Sequence, residues 1–330
     1  MITISIIIVL SILLGFILAN YLYKQTNAYR NQFLPAKKFK HGVPYNLEIV
    51  NFGSTYTMFA FNSYRELQLK GFSFAMDAQS LEIDNVLLHK YADHIKEGAT
   101  VVFGLAACVS FYRYSMTSNK GLYYKFMKRS EIPSYNFIEA LSNFYPIRLR
   151  TWKRIKSLVK DDDEYSDVIQ KFPPTCSDAA ASSNMKAMAE GWCRLFRLKN
   201  LKEPLCDVAN SANQEYNANL LKSMVSFCKE HKWKPVFVIT PFSAELNQYF
   251  SDEFVNSALY KMMEPSVKEY KVPIYDYRRC ESFQHDKASF LDGGFRMSKF
   301  GSRKFMRHFI NDLAKDSIHN TAVPFRNHRS

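Results

Sequence analysis

The chain has little that would indicate a metal centre. Its 330 residues include six cysteines, but none forms a Cys-x-x-Cys pair or a cysteine–histidine cluster with the spacing of a zinc site. This absence argues against structural zinc, and we predict no metal and no cofactor. An even number of cysteines permits disulfides in an oxidising compartment but does not require them.

The sequence also lacks a signature of nucleic-acid binding. Its net charge is +13, which suits a polyanionic partner such as an acidic glycan, an anionic lipid surface or a nucleic acid. However, the basic residues are spread along the chain, and no RNA- or DNA-binding motif accompanies them. We therefore predict no nucleic-acid partner. A merely solubilising basic surface is favoured slightly over any single polyanion.

Charge is missing from residues 2–22, which are apolar and about long enough to cross a bilayer as one helix. Tyr21 and Tyr23 suit a membrane interface, and Lys24 ends the apolar run. A basic segment before the run and a small-residue cleavage site after it are both missing. A retained single-pass anchor over residues 1–23 is therefore favoured over a cleaved signal peptide.

Residues 24–44 form a predicted basic tether along the membrane surface. Their lysines and arginines would, by the positive-inside tendency, keep the following domain in the cytoplasm. Large domains are often translocated regardless of nearby charge, so this pattern leaves the orientation open. We expect a cell-membrane protein whose main domain is extracytoplasmic.

Beyond residue 44, short apolar runs alternate with segments of helical spacing. Nearly half of the residues are hydrophobic (47%), which is ample for one large core. The predicted strands are residues 47–52, 72–76, 100–107, 235–240 and 272–277. The predicted helices are residues 64–70, 81–97 (ended by Gly98), 219–231 and 254–270. This alternation predicts a three-layer α/β/α domain with a flavodoxin-like, doubly wound five-stranded parallel sheet of order 2-1-3-4-5.

The α/β domain should span residues 45–318, with a helical insert over about 112–218 and a tail at 319–330. The insert has no strong strand signal. Within it, residues 135–159 alternate aromatic, apolar and basic positions. This segment could be an amphipathic cap over the site or a membrane-facing surface, or simply an ordinary surface subdomain.

The segment around which the chain is organised follows the first strand. Gly53 makes a tight turn, and two hydroxyl side chains, Ser54 and Thr55, come next, before an amphipathic run. In open α/β sheets the carboxyl ends of the strands are where ligands bind and chemistry occurs. We therefore expect the site at this turn.

Five segments in this order resemble the SGNH/GDSL hydrolase superfamily. The resemblance is closest to membrane-anchored members associated with bacterial surface-polysaccharide clusters, and more distant to the D-alanyl-lipoteichoic-acid transfer protein. The matching residues are Phe52-Gly53-Ser54-Thr55, residues 71–75 with Gln79-Ser80-Leu81, residues 100–107 leading to Ser110-Phe111, Ile239-Thr240-Pro241, and Phe290-Leu291-Asp292 with Met297-Ser298 and Gly301.

The resemblance implies an ester site with a serine nucleophile after the first strand and a C-terminal Asp-x-x-His base. Here Thr55 occupies the nucleophile position, and Ser54 lies one residue earlier. At the C-terminal motif, the position of the histidine falls on Phe295 or Arg296. A guanidinium stays protonated and cannot act as a base. His285 is a weak candidate for a displaced base.

The site residues implied by the resemblance fall into two groups. The degenerate catalytic group is Thr55, Ser54 and Asp292, and the substrate or oxyanion group is Gly53, Gln79, Ser80, Ser110 and Arg296. Both catalytic positions are altered together. The favoured hypothesis is therefore a catalytically impaired protein that acts on or binds an acylated or acidic cell-envelope glycan, or supports partner proteins of envelope biosynthesis.

Two alternatives remain open. The first is an active O-acyl esterase or O-acyltransferase that uses Thr55 or Ser54 with a displaced base. The second is an unrelated α/β membrane-associated interaction protein, which a sheet order other than 2-1-3-4-5 would favour.

Overall fold

The structure is a computed structural model that describes residues 2–117, 119–147, 154–155, 158, 178–205, 208–319 and 326–327. The chain folds into two units. The smaller unit comprises Met1–Gly42 and Asn119–Lys171, and the larger comprises Val43–Ser118 and Phe172–Ser330.

The larger unit is built on a parallel sheet. Its strands are β1 (Leu47–Phe52), β2 (Gly71–Ser73), β3 (Ile95–Leu105), β4 (Lys234–Ile239), β5 (Ile274–Asp276) and β6 (Arg326–Asn327). They lie in the order 2-1-3-4-5-6, and every pairing is parallel. The predicted order of five strands is confirmed, and a short sixth strand from the tail is added beside β5. The order does not favour the unrelated α/β alternative.

Helices cover both faces of this sheet. The longer ones are Leu81–Lys90, Asp178–Phe196, Val208–Glu230, Lys261–Tyr270 and Lys299–His319. The shorter ones are Thr55–Ala60, Ala244–Asn247, Asp252–Val255, the π turn Asn256–Tyr260 and Glu281–Gln284. Alternate strand residues such as Ile49, Val102 and Val236 form one core with Phe305 and Phe309 of the C-terminal helix. Because successive side chains of a strand point to opposite faces of the sheet, every second strand residue contributes to this core.

The predicted helix at residues 64–70 is wrong. This segment consists of turns, and the helix after β1 is Thr55–Ala60 instead. Gln68 takes a left-handed φ of 54°, which a continuing right-handed helix does not allow. The Leu69 N–H closes the turn by donating to the Tyr64 carbonyl.

The predicted helix at residues 81–97 is too long. The helix ends at Lys90, a single 3-10 turn covers Ala92–His94, and β3 begins at Ile95. Gly98 was expected to end the helix, but it lies inside the strand with a φ of 79°. The pairing of β3 with β1 shifts register just after Ile95. Ile95, the first residue of the strand, happens to keep the helical interval from Leu87 and Tyr91, so the spacing predicted a longer helix.

The smaller unit begins with the helix Ile2–Gln25 and the short helices Asn27–Gln32 and Leu34–Lys40. From the insert it takes the 3-10 segments Lys120–Lys125 and Arg129–Glu131 and the helix Phe137–Phe144. Among the described residues, the N-terminal helix alone is long and apolar enough to cross a membrane. Most of residues 148–159 and all of 320–325 and 328–330 lie outside the described part.

Candidate functional site

The turn after β1 depends on a glycine. Gly53 has a φ of 133°, and a Cβ there would lie 2.6 Å from Thr57 Oγ1 and 2.7 Å from the Gly104 carbonyl oxygen. A larger residue would therefore separate the ends of β1 and β3. The Gly53 N–H donates to Asp84 Oδ1 at 3.0 Å, and the next two residues place their hydroxyls at the carboxyl edge of the sheet.

The Thr55 hydroxyl has two partners among the described residues. It donates to Asp77 Oδ1 in a short hydrogen bond and accepts the Ala78 N–H at 3.2 Å. Ala78 takes a left-handed φ of 51°, which costs an alanine about 1–2 kcal/mol. The Ala78 carbonyl accepts the hydroxyls of Tyr112 at 3.3 Å and Thr117 at 3.4 Å. The loop after β2 is thus held against Thr55 at an energetic cost.

A buried carboxyl lies behind this turn. Burial raises the pKa of Asp84 to about 7, while hydrogen bonds from Gln79 and Gly53 oppose the rise. The Gln79 amide donates to Asp84 Oδ1 at 2.5 Å and to the Phe74 carbonyl at 3.2 Å. Gln79 and Asp84 therefore fix the backbone of the turn.

The C-terminal motif forms a second turn. Asp292 Oδ1 accepts the backbone N–H groups of Gly294, Phe295 and Arg296 at 2.9, 3.1 and 3.1 Å. Burial raises the pKa of Asp292, and these bonds and the guanidinium oppose the rise. Asp292 Oδ2 lies 3.9 Å from Arg296 Nε, and neither atom has a hydrogen-bond partner among the described residues. The pair is a loose ion pair.

The helix Asp178–Phe196 packs directly on this second turn. A Cβ at Gly293 would lie 2.4 Å from Ala181 Cβ, and one at Gly294 would lie 1.9 Å from Met185 Sδ. Two glycines therefore allow the helix to approach the backbone next to Arg296.

One cavity of about 270 Å³ joins the two turns, and Ser54, Thr55 and Arg296 all line it. Most of its wall is aromatic or aliphatic, including Tyr56, Tyr112, Trp192, Phe196, Phe242 and Phe250. The structure thus brings together residues from near both ends of the chain. The arrangement combines a mainly apolar chamber with the aliphatic hydroxyls of Ser54 and Thr55 and the guanidinium of Arg296.

The other predicted residues lie outside the cavity lining. Gln79, Ser80 and Ser110 are all buried. The Ser110 hydroxyl donates to the Ala107 carbonyl at 2.6 Å, and the Ser80 hydroxyl makes no hydrogen bond with the described residues. Asp292 does not line the cavity either; it contacts Arg296 and the backbone of the second turn.

His285 is exposed and follows the short helix Glu281–Gln284. It is not among the residues that line the cavity, and within the described part of the chain no histidine lines it. The partner that the structure gives the Thr55 hydroxyl is a carboxylate rather than an imidazole.

Sequence reasoning missed Asp77 and Asp84. Asp77 follows the second strand, so its position at the carboxyl edge of the sheet was a usable signal. Asp84 had no such signal, because an acidic residue in the first turn of a helix is ordinarily explained by the helix dipole. The aromatic wall was also missed, since Trp192 and Phe196 come from the insert and Phe242 and Phe250 follow β4.

No protein-family model matches the chain, and no curated protein matches it. Among solved structures, it is similar to a provisionally assigned acylhydrolase from Bacteroides fragilis. That likeness covers 86% of this chain and 95% of the other, with 11% sequence identity and a TM-score of 0.38. A likeness this low has no bearing on function, so the functional argument depends on the site.

Proposed function

We propose that the protein is a membrane-anchored, SGNH-hydrolase-like protein that binds the acyl group of an acylated cell-envelope glycan and hydrolyses it poorly. One observation carries the proposal: Thr55 and Arg296, from near opposite ends of the chain, line the same mainly apolar cavity.

The lining of the cavity suits an ester of an apolar acid. Aromatic and aliphatic walls favour burial of an alkyl chain by about 0.8 kcal/mol per CH₂. A buried ester carbonyl or an anionic group needs a hydrogen-bond donor. The Arg296 side chain, which is 34% exposed, lines the cavity and carries five N–H donors. The glycan would remain outside the chamber.

Three features favour weak hydrolysis. The Thr55 oxygen already makes two hydrogen bonds, and its β-methyl restricts its rotamer. Neither residue that falls on the histidine position, Phe295 or Arg296, can accept a proton. Loss of a positioned base typically lowers the rate by about 10²–10⁴-fold. Binding is therefore the role that these residues support best.

The cellular setting is part of the proposal. The apolar helix Ile2–Gln25 would anchor the chain in the cell membrane, with the larger unit on the extracytoplasmic side, where acylated envelope glycans are exposed. Proteins of envelope biosynthesis are the partners that this setting favours.

Calorimetric titration of the full chain in lipid nanodiscs tests the binding. An octanoylated methyl glucoside should bind at least about tenfold more tightly than methyl glucoside, because several CH₂ groups are buried. Arg296→Met should weaken binding of the acylated probe by about tenfold, the value of a hydrogen bond to a charged group. Lys299→Met removes an exposed charge nearby and should leave binding unchanged. Equal affinity for the two glucosides would contradict the proposal.

A second candidate function rests on the Thr55–Asp77 hydrogen bond. In this alternative Asp77 accepts the Thr55 proton and the protein is an active esterase or acyltransferase. Hydrolysis of nitrophenyl butyrate distinguishes the two. The main proposal predicts that the wild type and Thr55→Ala hydrolyse this ester at rates within about tenfold of each other. A fall in the hydrolysis rate of about 10²-fold or more in both Thr55→Ala and Asp77→Asn would instead establish the enzyme.

A further inference from the structure

We propose that the helix Phe137–Phe144 lies in the interfacial region of the lipid bilayer, with four apolar side chains inserted among the lipids. These side chains, named here the outer face, are Phe137, Ile138, Leu141 and Phe144. The inference goes beyond the cavity of the larger unit but depends on the proposed membrane insertion of the N-terminal helix.

This helix exposes its apolar side chains, the reverse of a surface helix in a water-soluble protein. The outer face is exposed by 63%, 73%, 46% and 60% in chain order. Residues at positions i, i+1, i+4 and i+7 share one side of a helix, so the exposure is continuous. Four large apolar side chains on one short helix form the kind of exposed patch that marks an interaction surface.

The polar side chains of the same helix face the protein. Glu139 pairs with Lys120 at 3.4 Å and accepts the Tyr124 hydroxyl at 3.4 Å. Asn143 lies so close to the backbone that a Cβ on Gly121 would be 2.5 Å from its Oδ1. Since the polar side is already used, turning the helix to hide its outer face would break these contacts.

The N-terminal helix places the outer face at the depth of a bilayer surface. The Phe16 and Tyr145 rings lie 5.6 Å apart, and Asn20 exchanges two hydrogen bonds with the Ile147 backbone at 2.8 and 3.3 Å. Lys24 lies over the Phe144 ring at 4.3 Å. The Lys24 contact lies where the apolar run ends, at the level where a spanning helix leaves the hydrocarbon. At 1.5 Å per residue the Asn20 and Phe16 contacts lie about 6 and 12 Å deeper along the helix.

Basic side chains flank the outer face. Besides Lys24, the groove beside the helix is lined by Lys125 and Arg129, and the Arg129 guanidinium stacks on Tyr135 at 4.6 Å. Apolar and aromatic groups on one face with cations at its edge are the pattern of helices that lie in the headgroup region of anionic membranes. A bilayer satisfies both parts of this surface, which selects it over a second protein chain.

Photo-cross-linking from the full chain tests the inference. A benzophenone amino acid is placed at Ile138 or, as an independent variant, at Leu141. Leu10, in the N-terminal helix, serves as the membrane reference, and Val208, a residue of the larger unit that is 83% exposed, as the exposed apolar control. The protein is reconstituted in vesicles of phosphatidylethanolamine and radiolabelled phosphatidylglycerol and is irradiated.

Lipid label at Ile138 and Leu141 should match that at Leu10 and exceed that at Val208 by at least about tenfold. Label at Leu10 but not at Ile138 or Leu141 would overturn the inference while leaving the anchor standing. Absence of label at Leu10 would instead overturn the anchor and this inference together. Cross-linking of Ile138 to a second copy of the chain in place of lipid would also overturn it.

Discussion

At the scale of single residues, the Thr55 hydroxyl ties the loop after β1 to the loop after β2. Its oxygen donates to Asp77 and accepts from the Ala78 N–H. These bonds hold Ala78 in a left-handed conformation that alanine does not prefer. The residue in the nucleophile position thus has a structural role in addition to any chemical one.

Replacing Thr55 by valine keeps the shape of the side chain but removes both hydrogen bonds. We expect the free energy of unfolding to fall by about 1–3 kcal/mol, because two polar groups lose a partner. Thermal unfolding of the nanodisc-embedded chain, followed by circular dichroism, measures the change. Thr55→Ser keeps the hydroxyl and should lose less than half as much; equal losses would show that the hydrogen bonds do not matter.

Asp84 should make stability depend on pH. Its pKa is raised from 3.8 to about 7 by burial, so the folded state retains a proton that the unfolded state has lost. The stabilisation is complete below pH 3.8 and disappears as the pH rises to about 7. Its slope is at most about 1.4 kcal/mol per pH unit.

The difference in free energy of unfolding between the wild type and Asp84→Asn isolates this effect. Because asparagine stays neutral, the wild type should lose stability relative to the variant as the pH rises through this window. Glu253→Gln, an exposed acid on another helix, provides the matched control. A difference that is flat with pH, or that grows in favour of the wild type, would contradict the assignment.

At the scale of elements, the helix Asp178–Phe196 packs its Ala181 and Met185 side chains against the glycine backbone of the Arg296 turn. Gly293→Ala should destabilise the protein by about 2–4 kcal/mol, because it combines a left-handed φ of 79° with a clash against Ala181. Gly191 lies inside the helix Asp178–Phe196, and a Cβ added there would have no neighbour within 4 Å. Gly191→Ala should therefore stabilise the protein by about 0.5–1 kcal/mol. Chemical denaturation of both variants checks the opposite signs.

The strands were easier to predict than the helices. Most residues of Leu47–Phe52 and Lys234–Ile239 are apolar, with a turn residue shortly after each strand, and this pattern is typical of buried parallel strands. The predicted helix ends were wrong where the spacing of apolar residues suggested a longer helix than the chain forms. The periodicity beginning at Leu81 continued past Lys90, because Tyr91 and the first residue of β3, Ile95, happened to keep the helical interval.

The candidate site was predictable only in part. Gly53 and Thr55 directly follow β1, at the edge where the ends of parallel strands meet. Arg296 lies in the C-terminal segment that resembles the hydrolase motif. The partner of the Thr55 hydroxyl was not predictable, since a left-handed Ala78 decides where Asp77 points. The wall supplied by Trp192 depends on the packing of a distant helix, which no local pattern encodes.

At the scale of the whole molecule, the N-terminal helix should decide where the protein is found. Its apolar run of 22 residues is long enough to cross a bilayer. The full chain should stay in the membrane pellet after alkaline carbonate extraction and be released by detergent, whereas a variant lacking residues 2–25 should be extracted by carbonate. Release of the full chain by carbonate would contradict membrane insertion.

The contact between Gly293-Gly294 and the helix Asp178–Phe196 also has a consequence for selectivity. Trp192, Leu195 and Phe196 of that helix form part of the cavity wall. The glycine backbone of the Arg296 turn meets the short Ala181 side chain and the Met185 thioether, and of these two only Met185 is flexible. Under the proposed function, a bulkier acyl chain would have to displace the Met185 side chain or shift the whole helix to enlarge the cavity. If the cavity holds the acyl group as proposed, we expect branching or added length of that group to reduce affinity.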